Sequence, residues 1–202
     1  MPRYTSKDIR NISLVGQSGC GKTTLTEALL KAGGAIKNTG TVERGNTVSD
    51  FDPLEKHYLH SLSSSVASFD HDNIHINLID TPGMPDFIGQ AIASFPAVET
   101  VAVVVNAQEG VELVSRRMLE WAAERKLCRM IIVNQIDADG VDLPGLVASI
   151  REEFGSECLP INLPADGGGK DVDCFYQPDG DADFSSVAEA HSTIIDQVVE
   201  VD

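Results

Sequence analysis

The 202-residue sequence lacks a long apolar run, a C-x-x-C pair and an excess of basic residues. No apolar stretch approaches the roughly 20 residues that cross a bilayer, and no apolar leader follows Met1, so we expect neither membrane insertion nor export. The four cysteines lie far apart, which disfavours a zinc site or disulfide framework and favours reduced thiols in a cytoplasm. With 31 acidic against 15 basic residues, the formal charge is −16, so we expect no direct nucleic-acid binding by this acidic segment.

The most specific motif is a glycine-rich run, G-x-x-x-x-G-K-T, between an apolar stretch at 12–15 and a predicted helix at 25–30. Its glycines let consecutive backbone N–H groups surround phosphates, and the helix N-terminus adds the positive end of its dipole. Lys22 would reach the β- and γ-phosphates and the Thr23 hydroxyl would ligate Mg²⁺, so these two are the candidate catalytic residues. The predicted phosphate-binding residues are Gly16, Gln17, Ser18, Gly19, Cys20, Gly21, Lys22, Thr23 and Thr24.

Cys20 lies beside a predicted helix N-terminus, a position that lowers the pKa of a thiol. We interpret it as a small residue that fills the phosphate loop rather than as a redox sensor.

A second signal is the strand predicted at 74–79, which ends in the sequence D-T-P-G. A carboxylate at the end of a neighbouring strand, here Asp80, is where a nucleotide-bound Mg²⁺ needs negative charge. Gly83 would bring a backbone N–H against the γ-phosphate, which a side chain would obstruct. We therefore assign Asp80, Thr81, Pro82 and Gly83 to the nucleotide site.

A third signal places polar residues after the buried strand predicted at 129–133. The carboxylate of Asp137 can accept hydrogen bonds from guanine N1 and N2, whereas adenine presents an acceptor at N1. Such a site discriminates strongly, because the wrong base leaves a charged group unpaired. Asn134, Gln135 and Asp137 are the predicted base-binding residues.

The rest of the chain up to residue 157 alternates strands with helices. We predict a continuous apolar strand at Thr100–Asn106, a helix at 111–126 and a helix at Leu143–Phe154 with Asp142 as its N-cap. Near-continuous apolar strands that alternate with helices indicate a mostly parallel sheet covered on both faces. In such α/β folds ligands bind at the carboxyl ends of the strands, where all three motifs fall.

The character of the sequence changes after Phe154. A short strand is predicted at 158–164, followed by three glycines, an acidic stretch and an amphipathic helix from 185 to 201. We therefore predict a P-loop domain at 1–157 and a partial insert at 158–202.

Together these motifs resemble the GTP-binding domain of bacterial translation elongation factor G, and more closely its elongation-factor-G-like relatives. The resemblance covers most of the chain and includes residues 45–53 (G-N-T-V-S-D-F-D-P), 77–83 and Leu163-Pro164. It implies a P-loop NTPase fold, a three-layer α/β sandwich with the start of a small α+β insert. It also implies GTP/GDP and Mg²⁺ as ligands, the ribosome as partner of the full-length protein, a cytoplasmic location and, we expect, a monomer.

Three positions depart from the family pattern. Gln135 replaces the lysine of Asn-Lys-x-Asp, and Met84 stands where the true factors carry a catalytic histidine. A thioether neither orients a water nor accepts its proton, so we expect weak intrinsic hydrolysis. Tyr58-Leu59-His60-Ser61 corresponds to Arg-Gly-Ile-Thr, so Ser61 joins Thr23 and Asp80 as a metal ligand by resemblance, although the glycine is lost.

The sequence leaves two classes of function open. One is a GTPase module of a translation factor; the other is a GTP-dependent switch or interaction module that does not hydrolyse. A P-loop ATPase or kinase is less favoured, since no Arg-rich lid is evident and D-T-P-G is not a kinase feature. The family's last guanine-contacting loop, Ser-Ala, has no counterpart before Asp202, so we expect an N-terminal piece of a larger protein that binds nucleotide loosely.

Overall fold

The structure is a computed structural model that describes residues 4–201, which form two compact units dividing between Asn134 and Gln135. The first unit is built on a sheet of five strands. The strands are β1 (Ile9–Val15), β2 (Ser65–His71), β3 (Ile74–Asp80), β4 (Thr100–Asn106) and β5 (Cys128–Asn134). Its α-helices are α1 (Lys22–Ala32), α2 (Pro53–Tyr58), α3 (Ile88–Ser94) and α4 (Leu113–Glu124).

The strand order is β2-β3-β1-β4-β5, with β2 antiparallel to β3 and every other pair parallel. β4 is buried from Val101 to Asn106, as expected of a central parallel strand covered on both faces. Leu25 and Leu29 of α1 pack against the cluster of Leu14 and its neighbours in the adjacent strands. Side chains alternate between faces, so the preceding residue, Ser13, points the other way, where its hydroxyl lies 2.6 Å from that of Ser94 in α3.

Helices therefore cover both faces of a mostly parallel sheet, which confirms the predicted α/β P-loop fold. The predicted strand at Thr100–Asn106 agrees with the structure residue for residue, and the helix predicted at 111–126 is α4. Apolar patterning located these elements because burial on both faces leaves a continuous apolar run in a strand.

The second unit contains α5 (Leu143–Phe154), an antiparallel hairpin of β6 (Asn162–Ala165) and β7 (Lys170–Asp173), and α6 (Val187–Val201). The bounds of α5 are those predicted, and the Asp142 side chain caps it by accepting a hydrogen bond from the Gly145 N–H at 3.0 Å. Leu163 of the hairpin packs with Val187 and Ile194 of α6 in a small core of its own. The boundary predicted at residue 157 falls within this unit and stays a prediction.

β2 was not predicted from the sequence, and the start of one other strand was predicted too early. Residues 65–71 (S-V-A-S-F-D-H) contain no continuous apolar run, and Asp72 and Asn73 then take positive φ angles of 46° and 66°, as a tight hairpin turn requires. The strand predicted at 158–164 covers only Asn162–Ala165, because the apolar residues before it do not pair with β7. Among residues 4–201, no helix combines the length and the apolar character that a bilayer crossing demands.

Candidate nucleotide-binding site

The loop between β1 and α1 has a backbone that depends on its glycines. Gly16, Gly19 and Gly21 have φ angles of 139°, 84° and 90°, in the region that disfavours any side chain. At Gly16 a Cβ would also collide with the Val104 carbonyl of β4. This loop, immediately before a helix N-terminus, has the form that presents N–H groups to an anion.

Lys22 begins α1, and its ammonium group lies over the loop. Nζ donates hydrogen bonds to the carbonyl oxygens of Gly16 at 2.9 Å and Gln17 at 2.8 Å, and the residue is only 6 % exposed. Gly83, after β3, lies so close that a Cβ there would collide with Lys22 Nζ and lie 2.6 Å from the Ser18 nitrogen. The D-T-P-G turn and the phosphate loop therefore meet, as the two motifs predicted.

Beside this lysine lies a cluster of hydroxyl and carboxylate groups. Thr23 Oγ1 donates to Asp80 Oδ2 at 2.8 Å and lies 3.5 Å from Ser61 Oγ. Ser61 Oγ in turn donates to Asp50 Oδ1 at 2.8 Å, and Thr47 Oγ1 donates to the other Asp50 oxygen at 3.0 Å. The structure thus brings together the three metal ligands expected from the sequence and adds Asp50.

Asp80 is one of two buried carboxylates in this cluster. Its residue is 2 % exposed, and Oδ1 meets no hydrogen-bond partner within residues 4–201. Burial raises the pKa of its carboxyl group from 3.8 to about 6, although the Thr23 hydrogen bond and the Lys22 charge oppose the rise. Asp50 adds a repulsive charge that also raises this pKa. A buried, partly unpaired carboxylate is a group that a cation would stabilise.

The donors in this cluster are all oxygens, which suits a hard cation such as Mg²⁺ and not a softer metal. Within the described residues, no three His, Cys, Asp or Glu side chains gather at a common point to hold a metal. A cation here would therefore rely on the hydroxyls of Thr23 and Ser61 as well as on carboxylates.

The residues predicted to contact the base lie on either side of the division between Asn134 and Gln135. Asn134 ends β5, and its side-chain amide donates to the Cys20 carbonyl at 2.9 Å, which ties the end of the strand to the phosphate loop. Gln135 follows with a φ of 59° and accepts the Ala138 N–H at 3.2 Å, so the second unit opens with a turn that includes Asp137.

The remaining predicted residues take different parts. The Thr81 hydroxyl donates to the Leu14 carbonyl at 2.7 Å and so joins the D-T-P-G turn to β1. Cys20 is 1 % exposed, and burial raises the pKa of its thiol despite the nearby Lys22 charge. The lowered pKa expected at a helix N-terminus is therefore wrong, because desolvation of the thiolate outweighs the helix end and the lysine. The other predicted members, Thr24 and Pro82, lie on the same two segments.

Asp50 is the site residue that sequence reasoning missed. It lies within the stretch at 45–53 that carried the family resemblance, but no periodic pattern marked it as buried. The structure shows it 2 % exposed between Thr47 and Ser61. A signal was present in the run T-V-S-D, since buried carboxylates commonly have hydroxyl donors nearby.

Curated relatives of this chain include an elongation factor G-like protein, a tetracycline resistance protein and a peptide chain release factor. It is 32 % identical over 203 residues to the elongation factor G-like protein of Mycobacterium tuberculosis H37Rv, covering 95 % of this chain and 28 % of that protein. It is 34 % identical over 151 residues to the tetracycline resistance protein TetW of Butyrivibrio fibrisolvens, covering 75 % and 24 %. Peptide chain release factor 3 of Lactococcus lactis strain SK11 is 32 % identical over 174 residues, covering 84 % and 33 %. The chain thus spans under two fifths of these relatives.

A crystal structure of a Thermus thermophilus protein superposes with a TM-score of 0.85 at 32 % identity, covering 96 % of this chain and 32 % of that one. Residues 7–200 match the family described as the elongation factor Tu GTP binding domain. Because that match spans nearly the whole chain, this chain belongs to that family and is a GTP-binding domain of the translational GTPase family.

Proposed function

We propose that this domain binds GTP and GDP together with Mg²⁺, and that the protein containing it hydrolyses GTP only weakly by itself. The observation that carries the proposal is the Thr23–Asp80 hydrogen bond of 2.8 Å, beside Lys22 and within reach of Ser61. It supports a site where a hydroxyl, a buried carboxylate and an ammonium group serve one phosphate-bound cation.

The roles follow from the chemistry of each group. The N–H groups of residues 16–24 would surround the phosphates, and Lys22 would neutralise the charge on the β- and γ-phosphates. Thr23, Asp80 and Ser61 would hold Mg²⁺, which neutralises charge on the phosphates when bound. Gly83, with no side chain against the loop, would offer its N–H to the γ-phosphate.

Guanine selectivity rests on Asn134, Gln135 and Asp137. Asn134 is tied to the Cys20 carbonyl, and Asp137 follows three residues later along the chain. We propose that the Asp137 carboxylate accepts from guanine N1 and N2, while the aliphatic stem of Gln135 lies along the base.

A binding titration with GTP, GDP and ATP tests this proposal. We expect both guanine nucleotides to bind in the presence of Mg²⁺ and ATP to bind far more weakly, because adenine leaves the Asp137 charge unpaired. Replacing Asp137→Asn should cost about 1.5–3 kcal/mol with GTP and shift preference toward xanthine nucleotides, whose O2 suits an amide donor. Equal binding of ATP and GTP by the unmodified chain would contradict the guanine assignment.

Met84 favours a second candidate function, a GTP-dependent switch or interaction module that does not hydrolyse. Met84 precedes the short helical turn at Pro85–Phe87 with an extended backbone, at the place of the family's catalytic histidine. Steady-state GTP turnover with and without added ribosomes separates the two candidates. The names of the relatives support the ribosome as partner and a cytoplasmic location for the whole protein.

A further inference from the structure

Glu55 is a buried carboxylate that none of the three sequence motifs includes. It lies in the first turn of the six-residue helix α2 and is 2 % exposed. An unsatisfied charge at that depth would cost several kcal/mol, so its hydrogen-bond partners explain how it is tolerated.

Those partners are three backbone N–H groups from both ends of the segment that carries Ser61. Oε2 accepts from Asp52 N at 3.2 Å, ahead of the helix, where Asp52 and Glu55 form a capping box. Oε1 accepts from Leu62 N at 3.0 Å and from Ser63 N at 3.1 Å, beyond the helix. One side chain therefore closes residues 52–63 into a loop.

Ser61 is the residue immediately before those two anchored N–H groups. Its hydroxyl donates to Asp50 at 2.8 Å and lies 3.5 Å from Thr23 Oγ1. The backbone reaches Ser61 through Leu59, which adopts the strained left-handed conformation at φ 58°. Because that turn is unfavourable for leucine, the chain at Ser61 depends on anchors that follow it, and Glu55 supplies two of them.

We propose that Glu55 is a positioning residue that holds the Ser61 hydroxyl in the metal cluster by anchoring the Leu62 and Ser63 N–H groups. This inference rests on the proposed function, in which Ser61 and Thr23 hold the nucleotide-bound Mg²⁺. Glu55 would act through the loop, since both of its carboxylate oxygens accept from backbone N–H groups. Glu27 anchors the preceding stretch by the same device, accepting from Gly40 N at 2.6 Å and Val48 N at 2.5 Å.

The test is a double-mutant cycle on the full chain, read as the Mg²⁺ concentration that half-maximally slows release of a fluorescent GDP analogue. Ser61→Ala should raise that concentration about tenfold, and Glu55→Ala about tenfold as well, within the range seen when groups supporting a metal ligand are removed. In the Ser61→Ala background, Glu55→Ala should add less than about twofold, because the residue it positions is already gone.

Two further variants separate positioning from general damage. Glu55→Gln keeps an acceptor for the Leu62 and Ser63 N–H groups but turns a donor toward the Asp52 N–H. It should therefore raise the required Mg²⁺ concentration less than Glu55→Ala does. It also keeps the inference testable if Glu55→Ala does not fold. Glu43→Ala changes an exposed glutamate in the stretch before residues 52–63 and should behave as the unmodified chain.

Different results test the positioning role of Glu55 and the proposed metal-binding function of Ser61 on which it rests. Wild-type Mg²⁺ dependence in Glu55→Ala, or effects of the two substitutions that multiply, would overturn the positioning role while Ser61 keeps its own. An unchanged Mg²⁺ requirement in Ser61→Ala would instead refute the proposed metal function of that serine, and the positioning role with it.

Discussion

Substitution of Asp80 by asparagine (Asp80→Asn) should raise the free energy of unfolding of this domain when metal and nucleotide are absent. Asp80 is 2 % exposed, Thr23 donates to one of its oxygens, and the other oxygen has the Ser49 hydroxyl nearby but no well-formed hydrogen bond within the described residues. An asparagine would still accept from Thr23 and would turn an N–H donor toward Ser49. It would also remove the repulsion between the carboxylates of Asp80 and Asp50.

The size of the effect follows from the pKa of Asp80. Its rise from 3.8 to about 6 means that the folded protein holds this proton more tightly than the unfolded chain does. The protonated Asp80 carboxyl group therefore contributes its full stabilisation of the fold below pH 3.8, and this contribution is lost as the pH rises through about 6. Two pKa units correspond to about 3 kcal/mol. Above pH 7 the Asp80→Asn domain should therefore have a free energy of unfolding higher than that of the unmodified domain by up to that amount. At pH 5 the gain should fall to roughly half.

Urea unfolding in EDTA without nucleotide, at pH 5 and pH 8, measures both values. Asp50→Asn is the matched control: its carboxylate accepts from two hydroxyls, so an amide there should lower the free energy of unfolding by about 1 kcal/mol. An Asp80→Asn domain no more stable than the unmodified one at pH 8, or a difference independent of pH, would refute the reasoning. Adding Mg²⁺ and GDP should reverse the order, because the asparagine lacks the charge that a cation needs.

Two other substitutions test the departures from the family pattern. Met84→His should raise ribosome-stimulated GTP turnover by about 10²–10⁴-fold, the usual contribution of a general acid–base group, measured as phosphate release; fast turnover by the unmodified protein would show that another residue holds the water. Leu59→Gly should raise stability by about 1 kcal/mol in urea, because Leu59 has a φ of 58° and is 51 % exposed. Leu54→Gly, at a 54 % exposed leucine within helix α2, should instead cost about 1 kcal/mol; equal effects at the two leucines would contradict the assigned strain.

Local chemistry explains why much of the site was predictable. A tight phosphate-binding loop needs glycine where φ is positive, and the spacing of such glycines is visible in the sequence. Here they are Gly16, Gly19 and Gly21. Strands buried on both faces read as continuous apolar runs, which is why Thr100–Asn106 was predicted with its observed bounds. Because the parallel strands β1 and β3 end at one edge of the sheet, Lys22, Thr23 and Asp80 were expected to meet, and they do.

Contacts between distant segments were not predictable in the same way. The pKa of Cys20 depends on burial under the sheet and helix α1, and desolvation there outweighed the helix end that the sequence suggested. Leu59 keeps the left-handed turn although the glycine of the family pattern is lost, since neighbouring contacts outweigh a strain of about 1 kcal/mol.

The sequence by itself determined the fold class, the phosphate loop and the order of the motifs, because glycine geometry and apolar periodicity act over a few residues. The tertiary structure alone decided how residues 47–63 complete the site. There Asp50, Glu55 and Ser61 have no periodic pattern, and their roles arise from hydrogen bonds to groups that become neighbours only when the chain folds. A buried carboxylate is stable only where such donors converge, and the hydroxyl-rich run T-V-S-D marks only the nearest of them.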